Sequence, residues 1–211
     1  MAVIVVVDYG MGNLRSVAKA LEHVAPRDKV VISDDEQVIA GADRVVFPGQ
    51  GAIRDCMGAL EQRHLKPVIQ RACESKPFFG ICMGMQVLLD FSEENQGVTG
   101  LGLLPGTVLR FQEPLFDGHN VRLKVPHMGW NQVHQNGSHP LWNNIPQDTR
   151  FYFVHSYYAK PQDERVAGTT CHGVDFCSVI ARENLFAVQF HPEKSQKQGL
   201  QLLENFVQWR I

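Results

Sequence analysis

The chain has 211 residues, 44% hydrophobic and 20% charged, enough apolar content for one domain with a substantial core. Its 20 lysines and arginines are interleaved with 22 aspartates and glutamates for a formal net charge of −2, so it has no basic stripe of the kind that binds phosphate backbones, and no nucleic-acid partner is expected. No apolar stretch approaches the roughly 20 residues of a membrane-spanning helix, and the five cysteines (Cys56, Cys73, Cys82, Cys171, Cys177) lack CxxC or zinc-like spacing, which points to a reduced, cytoplasmic protein with no metal or cofactor and no membrane contact.

The N-terminal MAVIVVVDYG has no basic n-region and its apolar run ends at Asp8, so it reads as a buried strand rather than a signal segment. NLRSVAKALEHVA follows with Leu14, Val17, Ala18 and Leu21 at the helical period. KVVIS and RVVFPG are short strands, and AIRDCMGALEQRHLKPVIQRACES is helical with a break near Pro67. PFFGI is the next strand, and the spacing of Met85, Leu88 and Leu89 predicts a helix through MGMQVLLDFSEE. From Gly97 to Asp148 the segments are short and rich in Gly, Pro and Asn, as antiparallel strands and turns would be. RFYFVHSYYAK, DFCSVIARENLFAVQFHPE and a closing helix KQGLQLLENFVQWR complete the pattern. Continuous apolar strands alternating with amphipathic helices predict an α/β protein, a single domain over residues 1–211 with helices on both faces of the sheet.

Gly80, Cys82 and Gly84 in GICMGMQ have the form of a nucleophile on a sharp strand-to-helix turn, where glycines relieve crowding and the first helical N–H groups meet the thiolate or an oxyanion. Buried packing cysteine is the competing reading until a base is found, and the other cysteines, which lack the turn, read as packing. His191, at the end of the strand NLFAVQFHPE, supplies an imidazole, and Glu193 two residues on supplies a carboxylate to orient it. FPGQGA is a second strand end opening into glycines, where Gly49 and Gly51 let the main chain approach a ligand. FPGQGA and GMGNLR both lack the third glycine of a dinucleotide loop.

FPGQGA, GICMGMQ and QFHPEKS, in that order, resemble the class I (triad) glutamine amidotransferases, and DYGMGN, VPHMGWN and FYFVHSYY extend the resemblance to the glutaminase subunits of imidazole glycerol phosphate synthases over essentially the whole chain. The resemblance implies a flavodoxin-like open, mostly parallel sheet with additional antiparallel strands. It makes Cys82 the nucleophile, His191 the base and acid, and Glu193 its orienting carboxylate. It places Gly49, Gly51, Gln86, Glu94, His155 and Ser156 around glutamine, and main-chain amides at Gln50 and Met83 on the oxyanion, after the peptide at Gln50 rotates. Gln50 and Met83 stand where valine and leucine are common in relatives. The resemblance further implies a heterodimer with a (β/α)8-barrel cyclase, docked through Asn13, Trp130, Tyr152 and Lys194. Glutaminase subunits for anthranilate, aminodeoxychorismate or carbamoyl phosphate synthesis share the elbow and His-Pro-Glu but are not expected to carry DYGMGN and VPHMGWN. A cysteine-elbow hydrolase or stress protein would require neither Gln86 nor the His191, Pro192, Glu193 order, and a binding module would not need the triad.

Overall fold

In the computed structural model, which describes residues 1–162 and 165–211, the N-terminal apolar run is β1 (Val3–Val7). Ile4 through Val7 are fully buried, with Ile4 and Val6 in one core and Val5 and Val7 in the other. A strand apolar on both sides needs cover on both, and each buried aliphatic side chain contributes roughly 1.5–3 kcal/mol once covered. On the first face, α1 (Leu14–Val24) inserts Val17, Ala18 and Leu21. β2 (Lys29–Ser33) pairs in parallel with β1.

A short helix that the sequence reading leaves out, α2 (Glu36–Ala40), starts where Asp35 Oδ1 accepts the Gln37 and Val38 amides. β3 (Arg44–Gly49) lies parallel on the other side of β1. The long helical stretch divides, as expected, into α3 (Ile53–Gln62) and α4 (Lys66–Ser75), with Pro67 in the first turn of the second, where a missing N–H costs nothing. Both pack with α2 on the second face.

β4 (Phe78–Cys82) leads into α5 (Met83–Gln86), a single turn. The helix predicted onward from there is instead β5 (Leu89–Ser92). Leu88 and Leu89 are fully buried, and the backbone from Leu89 pairs with the later β6 (Val98–Thr99) and β7 (Leu104–Arg110). Ladder bonds and burial against the sheet override the helical spacing.

The segments that follow are the added strands: the small hairpin of β8 (Leu115–Phe116) and β9 (Arg122–Leu123), then β10 (His127–Gln135), β11 (Thr149–His155), β12 (Tyr157–Pro161), β13 (Val166–His172) and β14 (Val174–Arg182). The chain then returns to the parallel sheet as β15 (Leu185–Val188) and closes with α6 (Gln196–Gln208), whose Leu202, Leu203 and Phe206 share the first core with α1. The order β2-β1-β3-β4-β15 is parallel throughout, the flavodoxin-like arrangement. Beyond β15 the sheet continues through antiparallel β14, β12 and β7. Among the described residues, no helix is long and apolar enough to cross a membrane.

Two glycines in helices separate close approach from mere propensity. A Cβ on Gly84 would overlap the Phe47 carbonyl of β3, whereas one on Gly58 in α3 would meet nothing within 4 Å. Gly84→Ala should lower stability by about 1–3 kcal/mol or more, and Gly58→Ala should raise it by about 0.5–1 kcal/mol. Thermal unfolding of the two variants checks both signs.

Candidate active site

Parallel register sets Gly49 of β3 beside Cys82 of β4, and Ile81 beside Val188 of β15, so that three strand ends open at one edge of the sheet. At Cys82 the chain reverses with φ 55° and ψ −110°, a conformation that costs an L-residue about 1–3 kcal/mol and persists only when its surroundings hold it. Those surroundings are tight. A Cβ on Gly80 would lie 2.9 Å from the Gly84 carbonyl oxygen, and one on Gly49 would overlap the Tyr9 hydroxyl and come within 2.7 Å of Met83 Cβ. The Tyr9 hydroxyl donates to the Pro48 carbonyl at 2.9 Å, and Cys56 Sγ lies 3.6 Å from the Gln50 carbonyl as its donor.

Beyond β15 the backbone stays extended, and the His191 amide donates to the Tyr152 carbonyl at 2.9 Å. His191 Nδ1 lies 2.9 Å from Glu193 Oε1, with 2% and 1% of the two side chains exposed. A carboxylate only accepts, so Nδ1 carries the proton and Nε2 is left for Cys82. Among the described residues, Nε2 is buried without a hydrogen-bond partner, and the Cys82 sulfur acts on this ring. Burial opposes charge on this imidazole, but the Cys82 sulfur and the Glu193 carboxylate together outweigh it and raise His191 to about 10.

A cavity of about 420 Å³ covers this edge, within the range of small-molecule sites. Gln50, Gly51, Cys82, Met83, Gln86, Glu94, His155, Ser156, His191 and Lys194 line it. Gly49 and Glu193 stand behind that lining, the first against Tyr9 and Met83, the second against His191. Glu94 Oε2 accepts the Ile53 amide at 2.9 Å, capping α3, which has no cap of its own. His155 Nδ1 meets the Tyr157 carbonyl at 2.8 Å, and burial pushes His155 down to about 3.

On the outer side, Trp130 is 44% exposed rather than a core aromatic, and it packs edge-on to Tyr152 at 6.2 Å. Lys194 Nζ stands 5.9 Å over the Tyr152 ring, so three of the four interface candidates form one contiguous stack. Asn13 is used locally, its Oδ1 capping α1 through the Ser16 amide at 3.4 Å.

Two side chains that the sequence reading does not single out are also built into this edge. Ser195 Oγ accepts the Tyr152 amide at 3.0 Å and donates to the His191 carbonyl at 2.6 Å, tying the loop to β11. Gln189 is fully buried between Gln86 and Cys82. Both lie in QFHPEKS, and Gln189, two residues before His191 on extended chain, falls on the same side as the imidazole.

Comparisons with known proteins bear on the family and the fold. The sequence profile of the class I glutamine amidotransferases matches residues 5–209, and the chain belongs to that family. It is 56% identical over 210 residues to the imidazole glycerol phosphate synthase subunit HisH of Nitrosococcus oceani, covering 99% of this chain and 98% of that protein. It is 55% identical over 210 residues to subunit HisH 1 of Pseudomonas aeruginosa, with the same coverage. At this identity over the full chain it falls among the glutaminase subunits of imidazole glycerol phosphate synthase. The fold alone is shared with PurLQS from Thermotoga maritima, at a TM-score of 0.73 and 21% identity over 99% of both chains.

The raised imidazole has a consequence for stability. His191 keeps its proton in the folded chain up to about pH 10 but loses it near its ordinary 6.5 when unfolded. Its contribution is therefore complete below about 6.5 and declines as pH rises toward 10. Glu193→Gln removes one of the two groups that hold the proton, so this alkaline decline should be shallower in the variant. Melting temperatures of both proteins across that window measure the difference.

Proposed function

We propose that the chain hydrolyses glutamine to glutamate and ammonia through Cys82, His191 and Glu193, and passes the ammonia to a (β/α)8-barrel cyclase that converts a phosphoribulosyl formimino aminoimidazole carboxamide ribonucleotide into imidazole glycerol phosphate and an aminoimidazole carboxamide ribonucleotide. The observation that carries the reading is the His191–Glu193 pair, 2.9 Å apart and buried, with His191 lining the cavity that also holds Cys82. The relatives at 56% and 55% identity are subunits of that synthase, which supports the acceptor reaction.

The chemistry runs in two halves. The Cys82 thiolate attacks the side-chain carboxamide carbon of glutamine, the C–N bond breaks, and the imidazolium of His191 protonates the departing nitrogen. Water then adds to the γ-glutamyl thioester while His191 takes its proton, the C–S bond breaks, and glutamate leaves. During each tetrahedral stage the main-chain amides at Met83 and Gln50 meet the oxyanion. Cys56 bonded to the Gln50 carbonyl, together with Tyr9 on Pro48, steadies the strand on which that second amide is carried. Gly51, Gln86, Glu94, His155 and Ser156 surround the substrate in the same cavity.

Ammonia in neutral water is mostly protonated and no longer nucleophilic, so its value depends on direct transfer. The stack of Trp130, Tyr152 and Lys194 beside the cavity has the aromatic and cationic character of an interface centre. Free cysteines and the biosynthetic role suit the reducing cytoplasm.

Glutamate release should be low in the isolated chain, rise strongly when a matching cyclase and its ribonucleotide are added, and vanish in Cys82→Ala. A coupled glutamate assay on the three mixtures tests this; undiminished release by Cys82→Ala would sink the nucleophile assignment. Trp130→Ala should weaken association with the cyclase by about 2 kcal/mol with the fold intact, read by titration calorimetry.

A further inference from the structure

The carbonyl of Tyr157 sets a hydrogen-bond direction that ends at the sulfur of Cys82. That oxygen accepts from His155 Nδ1 at 2.8 Å and from Gln86 Nε2 at 2.9 Å. Because a carbonyl oxygen only accepts, Gln86 must turn its NH2 group toward it, and the second hydrogen of the same nitrogen meets Gln189 Oε1 at 2.8 Å. With its oxygen committed to Gln86, Gln189 presents its own NH2 to Cys82 Sγ, 3.7 Å away.

The far side of the network is ordered in the same sense. His155 Nδ1 holds a proton, so its Nε2 accepts from His127 Nδ1 at 3.0 Å. His127 Nε2 in turn accepts from Asn131 Nδ2 at 3.1 Å, and that amide also donates to the Cys171 carbonyl at 2.8 Å. The two imidazoles are satisfied while neutral, in keeping with burial, which pushes both down to about 3. Gln86 is 2% exposed and Gln189 fully buried, so bulk water does not compete for these bonds.

We propose that Gln189 is a catalytic hydrogen-bond donor to the Cys82 sulfur, held in that orientation by Gln86 and the Tyr157 carbonyl. The assignment rests on Cys82 being the nucleophile. An N–H aimed at sulfur stabilises the thiolate over the thiol, and the bond strengthens as charge collects there. It acts twice: on the resting thiolate, and again when the thioester opens and the electron pair of the C–S bond returns to sulfur. In the thioester itself the sulfur is neutral and the bond is weakest. One extended segment thus delivers both the imidazole of His191 and this neutral donor, two residues apart. The other ionisable groups acting at the sulfur, Tyr9 and Cys56, stay neutral because burial raises both, and Glu193 acts through His191.

Gln189→Met keeps length and bulk but removes the donor. The full chain, without glutamine, is treated with iodoacetamide between about pH 5 and 10, and modification of Cys82 is followed by the mass of its peptide. The midpoint should rise by about 1–2 pH units in the variant, and glutamine turnover in the presence of the cyclase should fall about tenfold or more in kcat with little change in KM. A folded variant with the wild-type midpoint overturns the proposal. Should Gln189→Met not fold, the wild-type side-chain amide resonance of Gln189 decides: it should shift with pH at the midpoint of Cys82 modification, and a resonance indifferent to that titration overturns the proposal equally. Full turnover by Cys82→Ala would instead overturn the nucleophile assignment, a separate outcome.

Discussion

The contact between Gly84 and the carbonyl of Phe47 is the constraint on which the rest of the site depends. With no Cβ in the way, the first turn of α5 settles directly on the end of β3, and Cys82 must take its positive φ to bring the chain there. The same closeness leaves room for Gly49 alone at the neighbouring strand end, where Tyr9 and Met83 crowd in. The Cys82 sulfur, the first amides of α5 and the Gln50–Gly51 stretch are thereby held in one small volume. The strain stored at Cys82 is offset by the burial of β1, β3 and β4, whose apolar side chains are packed from both faces.

Burial acts on two histidines at this edge and produces opposite states. His191 and His155 are both almost wholly removed from water, which disfavours the imidazolium in each. His191 has a carboxylate and a sulfur beside it and is raised; His155 has a carbonyl and the neutral His127 imidazole and is lowered. The identity of the neighbours, rather than the depth, decides which ring carries charge at neutral pH. That division suits the proposed chemistry, in which one imidazole exchanges a proton with substrate while the other holds a fixed hydrogen-bond direction.

The loop that carries His191 and Glu193 also carries the outer surface. Lys194 follows Glu193 directly and covers the Tyr152 ring, while the Tyr152 carbonyl receives the His191 amide and the Tyr152 amide donates to Ser195. Any contact made on Trp130 and Tyr152 therefore bears on the strand that fixes the backbone of His191. Contact at the surface and geometry at the imidazole share a single β11 backbone, a short mechanical route between the two.

Much of this was legible in the amino-acid order because it depends on local patterns. The alternation of apolar strands and amphipathic helices, the glycines flanking Cys82, and the His191–Pro192–Glu193 spacing each reflect a neighbour close in sequence or a face covered everywhere. The residues after α5 fit a helix by their spacing because an apolar run fits either period, and only pairing with β6 and β7 chooses the strand. Glu94 reaching back to cap α3, and Gln189 meeting Cys82 from 107 positions away, left no mark in any local window. The sequence by itself determined which groups are present and which face of each element is apolar. Tertiary structure alone decided that His191 is raised while His155 is lowered, and which way each buried amide points, because both depend on partners that parallel pairing brings together from distant parts of the chain.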